Sequence, residues 1–122
     1  MRQAHCSHAG GILELKKIGA IAEAYRLEMA PHNPQSMVST LASIHVDATT
    51  PNATIQEYSP NKPAWVQELF NGADLKIVHG HAELPLRPGL GVELNEKVAA
   101  AHPYQPVNRG VPVFSDGAVA DH

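Results

Sequence analysis

Helical and extended patterns alternate along the first half of this chain, and only two extended stretches fit a parallel sheet. Apolar residues recur at spacings of three and four over residues 11–25, and again over residues 36–47 behind a capping Ser36. Residues 27–30 and 52–57 are typical of strands. The order helix, strand, helix, strand predicts parallel pairing through right-handed crossovers. Because two such strands cannot bury both faces of a sheet, the pattern indicates part of a larger α/β architecture.

The second half of the chain is predicted to be irregular and antiparallel. A short helix over residues 63–70 would begin with proline at its first position. A hairpin is expected, with strands over residues 74–78 and 82–84 on either side of residues 79–81. Asn95 is expected to cap a last helix toward His102, ahead of a loop-like tail. The apolar stripe of the first helix and a cluster of large side chains are predicted to form the core; the cluster is Trp65, Leu69 and Phe70.

Composition excludes several classes of partner. The 122 residues suffice for one domain, and 9 Lys and Arg against 12 Asp and Glu leave a net charge of -3 with no basic cluster for nucleic acid. The most apolar stretch, residues 18–24, contains Glu23 and is much shorter than a membrane span. The first residues lack the features of a signal or transit peptide, and the single Cys6 fits a reducing compartment. We therefore predict a cytoplasmic protein that binds neither nucleic acid nor membranes.

Four short motifs occur in the order found in a known enzyme family. They are His-Ala-Gly-Gly-Ile at residues 8–12, Ala-Pro-His-Asn-Pro at 30–34, Asn-Ala-Thr-Ile-Gln-Glu at 52–57 and Pro-Gly-Leu-Gly-Val-Glu at 88–93. Together they resemble the mandelate racemase and muconate lactonizing enzyme branch of the enolase superfamily. Within that branch the sequence is most similar to acid-sugar dehydratases of the galactonate dehydratase type. The resemblance runs along essentially the whole chain and covers the last third or so of such an enzyme.

The resemblance implies the C-terminal portion of a (β/α)₈ TIM barrel, in which chemistry takes place at the C-terminal ends of the strands. It implies that the chain starts at the end of the sixth strand and supplies the seventh and eighth strands with their helices. Residues 1–72 would then form part of the barrel, and residues 73–122 a segment that packs on the capping domain.

Two residues match the catalytic positions of this family. His32 matches the general base on the seventh strand, and an imidazole can accept the proton alpha to a carboxylate near neutral pH. Glu57 matches the eighth-strand carboxylate that contacts the substrate carboxylate and the developing enediolate. On the residues alone, His32 could instead be a loop histidine bonded to backbone, and Glu57 a salt-bridge partner. Both follow a predicted strand, which is where a barrel places function.

The sequence departs from the family at the position of the aspartate that pairs with the base, which is His5 in this chain. A histidine cannot supply the negative charge that orients and stabilises a protonated imidazole, so the resemblance implies a weakened base. The family's magnesium ligands and its catalytic acid lie upstream in relatives and have no counterpart here. We therefore expect Mg²⁺ in the complete enzyme, none on this chain alone, and no turnover by the isolated chain.

The predicted function is that of a fragment of a magnesium-dependent acid-sugar dehydratase. Such a lyase removes the proton alpha to the carboxylate of an aldonate and eliminates water, and the complete enzyme is expected to be a homo-oligomer. Racemases, epimerases and cycloisomerases of the same superfamily are alternatives. A further alternative is a non-catalytic half-barrel that associates with itself through open sheet edges.

The histidines leave one more alternative open. His5, Cys6 and His8 could combine with His79 and His81 in a zinc or nickel site. These spacings match no standard zinc motif, and loop histidines are common. Cys6 is expected to be an inert thiol, because no fixed base is implied beside it.

Overall fold

The structure is a computed structural model that describes residues 3–72, 75–106 and 113–118. The helices in these ranges are α1 (Cys6–Ala9), α2 (Ile12–Ala24), α3 (Met37–Asp47), α4 (Ala64–Glu68) and α5 (Glu96–Ala101). The short strand β1 (Phe70–Asn71) pairs antiparallel with β4 (Glu93–Leu94), and β2 (Ile77–Val78) pairs antiparallel with β3 (His81–Ala82). No described helix is both long and apolar enough to cross a membrane.

Helix α1 was not predicted by the sequence pattern. The ring of His5 caps it, since Nδ1 accepts a hydrogen bond from the backbone N–H of Ser7 at 3.1 Å. Gly10 ends α1 with φ 101° and Gly11 precedes α2 with φ 100°. Other residues rarely adopt such angles, so this glycine pair lets one helix follow the other with almost no linker.

Helices α2 and α3 confirm the two helices predicted in the first half of the chain. The hydroxyl of Ser36 caps α3 by accepting from the N–H of Ser39 at 3.4 Å. The predicted buried stripe on α2 is correct only in part. Buried positions on α2 are Leu15, Gly19 and Ala22, whereas Ile12, Ile21 and Tyr25 are exposed. Helix α2 packs against α1 and α3, and these neighbours leave the three exposed residues uncovered.

Three extended segments, residues 3–5, 27–32 and 52–57, lie side by side. The N–H of His32 donates to the carbonyl of Ala4 at 3.1 Å, and the N–H of Met29 donates to the carbonyl of Asn52 at 2.8 Å. Met29 and Ala53 form a parallel bridge, which confirms the predicted parallel pairing.

The pairing between these segments is shorter than the sequence pattern predicts. Strands over residues 27–30 and 52–57 were expected. In the described residues these segments share one parallel bridge, between Met29 and Ala53, and beyond it a backbone hydrogen bond from Glu57 to Pro31. Pro31 and Pro51 flank this bridge, and a proline has no N–H to donate to a ladder.

The core lies between these segments and the first three helices. It consists of Cys6, Leu15, Ala22, Met29, Ala42 and Val46. Leu15 is 0% exposed and Met29 is 1% exposed, so each contributes about 1.5–3 kcal/mol by burial. Leu90, from the second half of the chain, packs against this core.

The second half follows its predicted outline with two corrections. Helix α4 starts at Ala64, which places Pro63 at the capping position rather than at the first helical position. The hairpin forms as predicted, but its turn is the pair His79 and Gly80, because His81 already belongs to β3. The start of the first hairpin strand was predicted at Asp74, which lies outside the described residues.

The predicted N-terminal cap of the last helix is confirmed, whereas the prediction of a core cluster formed by Trp65, Leu69 and Phe70 is wrong. The side-chain oxygen of Asn95 accepts from the N–H of Val98 at 3.3 Å and starts α5. Trp65 is 36% exposed, and its ring stacks on His102 with the ring centroids 4.2 Å apart. The ring therefore contacts the residue that caps α5, and neither α4 nor α5 carries a buried residue, so these helices form no core around Trp65.

Candidate active site

The predicted site residues lie at the ends of the three extended segments. His5 ends the first segment, His32 ends the second and Glu57 ends the third. Because the second and third segments are parallel, their carboxyl ends meet at one edge. The carboxyl edge of a parallel sheet is where α/β proteins bind ligands and place catalytic groups.

His32 and Glu57 are in direct contact at this edge. Nδ1 of His32 lies 2.5 Å from Oε2 of Glu57, and the two side chains are 46% and 42% exposed. The backbone N–H of Asn33 donates to the same carboxylate oxygen at 3.0 Å. The carboxylate therefore holds one ring nitrogen of His32, while the half-exposed pair stays open to a ligand.

The loop behind this pair is anchored by a buried amide. The Nδ2 group of Asn33 donates to the hydroxyl of Thr40 on α3 at 2.6 Å, and Asn33 is only 1% exposed. Thr40 in turn donates to the carbonyl of Ser36 at 3.1 Å. Asn33 was not among the predicted site residues, although its position between Pro31 and Pro34, next to the candidate base His32, could have indicated it.

His5 is buried beside His32 rather than exposed in the site. It is 7% exposed, its ring stacks on that of His8 at 4.3 Å, and it meets the ring of His32 edge-on at 5.8 Å. Burial, followed by the nearby His8 and His32 rings, lowers the pKa of His5. The position that the resemblance pairs with the base therefore holds an imidazole that favours its neutral form.

Two side-chain contacts join α1 to residues 35–39 at the start of α3. The Nε2 atoms of His8 and Gln35 lie 3.2 Å apart, and both side chains are exposed. Ser7 and Ser39 are joined through their hydroxyls at 3.3 Å, which ties α1 to the start of α3. Neither contact was predicted, because each joins residues about thirty positions apart.

The zinc or nickel site left open by the sequence is not formed. Among residues 3–72, 75–106 and 113–118, no group of three or more His, Cys, Asp and Glu side chains is placed to hold a metal ion. His79 and His81 lie exposed on the hairpin, whereas Cys6 is buried in the core. Burial raises the pKa of the Cys6 thiol, which keeps it protonated and unreactive.

Comparison with known proteins identifies the family. The profile of the family described as enolase C-terminal domain-like matches residues 1–98. A D-galactonate dehydratase family member of Streptomyces bingchenggensis is 41% identical over 117 residues, which are 94% of this chain and 28% of that protein. The D-galactonate dehydratase of Ralstonia pickettii is 39% identical over 126 residues, 98% of this chain and 33% of that protein.

Solved structures of this superfamily share the fold. An enolase from Pantoea ananatis, with bound D-gluconate and Mg, superposes with a TM-score of 0.78 at 36% identity, covering 87% of this chain and 26% of that one. A mandelate racemase/muconate lactonizing enzyme from Jannaschia sp. CCS1 gives a TM-score of 0.72 at 32% identity, covering 81% and 25%.

This chain therefore spans a third or less of the length of these relatives. Its extended segments and first helices correspond to the C-terminal portion of a (β/α)₈ barrel. The chain belongs to the enolase C-terminal domain-like family and resembles its galactonate dehydratases.

Proposed function

We propose that this chain carries the general-base part of the active site of an acid-sugar dehydratase. The observation that supports the proposal is the 2.5 Å contact between His32 Nδ1 and Glu57 Oε2 at the carboxyl edge of two parallel segments. The similarity to D-galactonate dehydratases supplies the substrate class, a sugar acid with a proton alpha to its carboxylate.

In this proposal His32 removes that alpha proton. Its Nδ1 faces the Glu57 carboxylate, so the neutral ring carries its proton on Nδ1 and leaves Nε2 free to accept another. The C–H bond breaks, the proton moves to Nε2, and the electron pair enters the substrate as an enediolate. The neighbouring hydroxyl then leaves as water, with a proton from an acid outside this chain. The resulting enol becomes a 2-keto-3-deoxy acid.

Glu57 has a second oxygen available for the substrate. Both described contacts of its carboxylate, from His32 and from Asn33, go to Oε2. The side chain is 42% exposed, and neither of these contacts uses Oε1, which leaves that oxygen available to a substrate. In its protonated form, a carboxyl at this place donates a hydrogen bond to an oxygen of the substrate carboxylate or of the enediolate.

The described residues do not fit a magnesium site. They contain no group of three or more metal-ligating side chains placed for one ion. Mg²⁺ in the complete enzyme is therefore proposed to be held by residues outside this chain, where it would stabilise negative charge on the substrate. For the same reason we propose that the isolated chain does not turn over substrate.

Fragment complementation tests this proposal. The first two-thirds of the Ralstonia pickettii dehydratase, up to the region that matches this chain, is mixed with the chain in Mg²⁺ buffer with D-galactonate. We expect 2-keto acid to form in the mixture and with neither piece alone. A single-chain fusion of the two pieces repeats the assay without the need for association.

Variants in the same assay separate the base from other histidines. His32→Ala should lower kcat by about 10²–10⁴-fold, the usual contribution of a general base. His79→Ala is the matched control, because His79 is exposed on the hairpin outside the site. A folded His32→Ala fusion as active as the unchanged fusion would exclude His32 as the base.

A second candidate function is self-association without catalysis. The outer face of α2, formed by Ile21 and the capping Tyr25, exposes large apolar side chains, and Ile12 and Leu13 are exposed at the start of the helix. Beside this face lies a cavity of about 430 Å³, lined in part by Ala4, Ile21 and Leu27. Exposed apolar area next to an open sheet edge favours pairing with another surface.

A further inference from the structure

Glu57 and His5 both lie beside the imidazole of His32, but they contact it in different ways. Glu57 approaches ring nitrogen Nδ1 at 2.5 Å, whereas His5 meets the ring edge-on with centroids 5.8 Å apart. We propose that Glu57 is the positioning residue of His32 in this chain. Its carboxylate orients the imidazole, which the residue at position 5, a histidine, cannot do because it has no carboxylate. This assignment rests on the proposed function of His32 as a base.

His5 cannot orient His32, because the His5 ring is already bonded to the backbone of Ser7 and stacked on His8. Its Nδ1 accepts from the N–H of Ser7 at the start of α1, so the neutral ring carries its proton on Nε2. That Nε2 is buried and has no hydrogen-bond partner among the described residues, so it does not bond to His32. The ring also stacks on His8, which fixes its plane. A neutral ring held in this way offers His32 no negative charge.

Glu57 is held against His32 by the same stretch of backbone that carries His32. The N–H of Glu57 donates to the carbonyl of Pro31 at 3.4 Å, and the N–H of Asn33 donates to Glu57 Oε2 at 3.0 Å. Of the residues on either side of His32, Pro31 therefore holds the backbone of Glu57 and Asn33 holds its carboxylate. Because Asn33 is itself anchored to Thr40 at 2.6 Å, the pair is joined to α3 as one unit.

The two oxygens of Glu57 then have separate tasks. Oε2 sets the tautomer of His32 by accepting from Nδ1–H, which keeps Nε2 free for the alpha proton. Oε1 is left for the substrate. One glutamate thus serves as a catalytic residue through one oxygen and as a positioning residue through the other.

The tautomer of His32 tests the assignment without any turnover. Chain labelled with ¹⁵N-histidine is studied by long-range ¹H–¹⁵N correlation at about pH 8, where ordinary histidines are neutral. We expect His32 to carry its proton on Nδ1. A His32 with its proton on Nε2 in the unchanged chain would overturn the proposal, whether or not any variant folds.

Variants then identify the residue that sets this tautomer. Glu57→Ala should shift most of His32 to the Nε2–H form, whereas His5→Ala should leave it in the Nδ1–H form. Glu28→Ala is the matched control, because Glu28 is an exposed glutamate on the same segment as His32. A tautomer that changes in His5→Ala and not in Glu57→Ala would show that position 5 orients the base.

The outcome is independent of the complementation assay. If His32 keeps Nδ1–H only in the presence of Glu57 but the fusion is inactive, the positioning contact stands and the proposed function falls. If the fusion is active while the tautomer of His32 is unchanged in Glu57→Ala, the proposed function stands and this inference falls.

Discussion

At the scale of single residues, Asp47 is the titratable group, among the described residues, whose pKa is shifted most by folding. It lies at the end of α3, and both its carboxylate oxygens are buried with no hydrogen-bond partner among the described residues. Burial raises its pKa from 3.8 to about 6. A carboxyl whose pKa is higher in the native state than in the unfolded state binds more protons when folded. Its contribution to stability is full below about pH 4 and is lost as the pH rises through about 6.

Asp47→Asn should therefore stabilise the chain at neutral pH and not in acid. We expect the free energy of unfolding at about pH 7 to rise by about 1 kcal/mol, a modest gain because the side chain is only partly buried. The gain should vanish near pH 4. Urea unfolding of both proteins across this range measures the difference, and Glu83→Gln, at an exposed hairpin position, is the control. An equal gain at both pH values would contradict the assignment to Asp47.

At the scale of elements, the approach of α2 to the end of α3 depends on a glycine. A Cβ added at Gly19 would lie 2.9 Å from the Cγ2 methyl of Thr50. Thr50 cannot easily turn away, because its hydroxyl donates to the carbonyl of Val46 at 2.6 Å. The Nδ2 group of Asn52 donates both to the carbonyl of Gly19 at 3.2 Å and to that of Leu27 at 2.8 Å. This junction therefore sets where the third extended segment begins.

Gly19→Ala should destabilise the chain by about 1–3 kcal/mol, since overpacking outweighs the better helix propensity of alanine. Thr50→Ser removes the clashing methyl and keeps the hydroxyl bond to Val46. In the Gly19→Ala, Thr50→Ser double variant we therefore expect most of the loss to be recovered, and a double-mutant cycle of unfolding free energies measures this coupling. Additive effects of the two changes would show that the contact does not limit the packing.

At the scale of the whole molecule, we expect the outer face of α2 to determine whether the chain associates with itself in solution. Ile21 is 62% exposed and Tyr25 is 75% exposed, next to the 430 Å³ cavity beside the first extended segment. We expect sedimentation velocity to show association that grows with concentration. Ile21→Lys should weaken this association about tenfold or more, because burial of one isoleucine contributes about 1.5–3 kcal/mol.

Leu86→Lys is the matched control for that measurement. Leu86 is 98% exposed and does not line the cavity beside α2, so its replacement should leave the association unchanged. A chain that sediments as a single monomer at every concentration would exclude self-association through this face. An equal effect of the two substitutions would point to general charge repulsion instead.

The sequence by itself predicted four of the five described helices and two of their caps. Helices α2 and α3, the Ser36 cap and the Asn95 cap could be read from short spacings, because helical hydrogen bonds and caps join residues within about four positions. The four motifs also led to the enolase family, which the comparisons confirm. Their order along the chain placed His32 and Glu57 after neighbouring strands.

Only the tertiary structure decided which of these residues touch. The contact of His32 with Glu57, the commitment of His5 to the start of α1 and the shortening of the parallel pairing to one bridge were not evident from spacing. The exposure of Ile21 and Tyr25 was likewise set by which side of α2 found neighbours. The physical reason is range. Strand pairing, side-chain burial and ring contacts join residues that are distant in the chain, so their geometry exists only once the chain is folded.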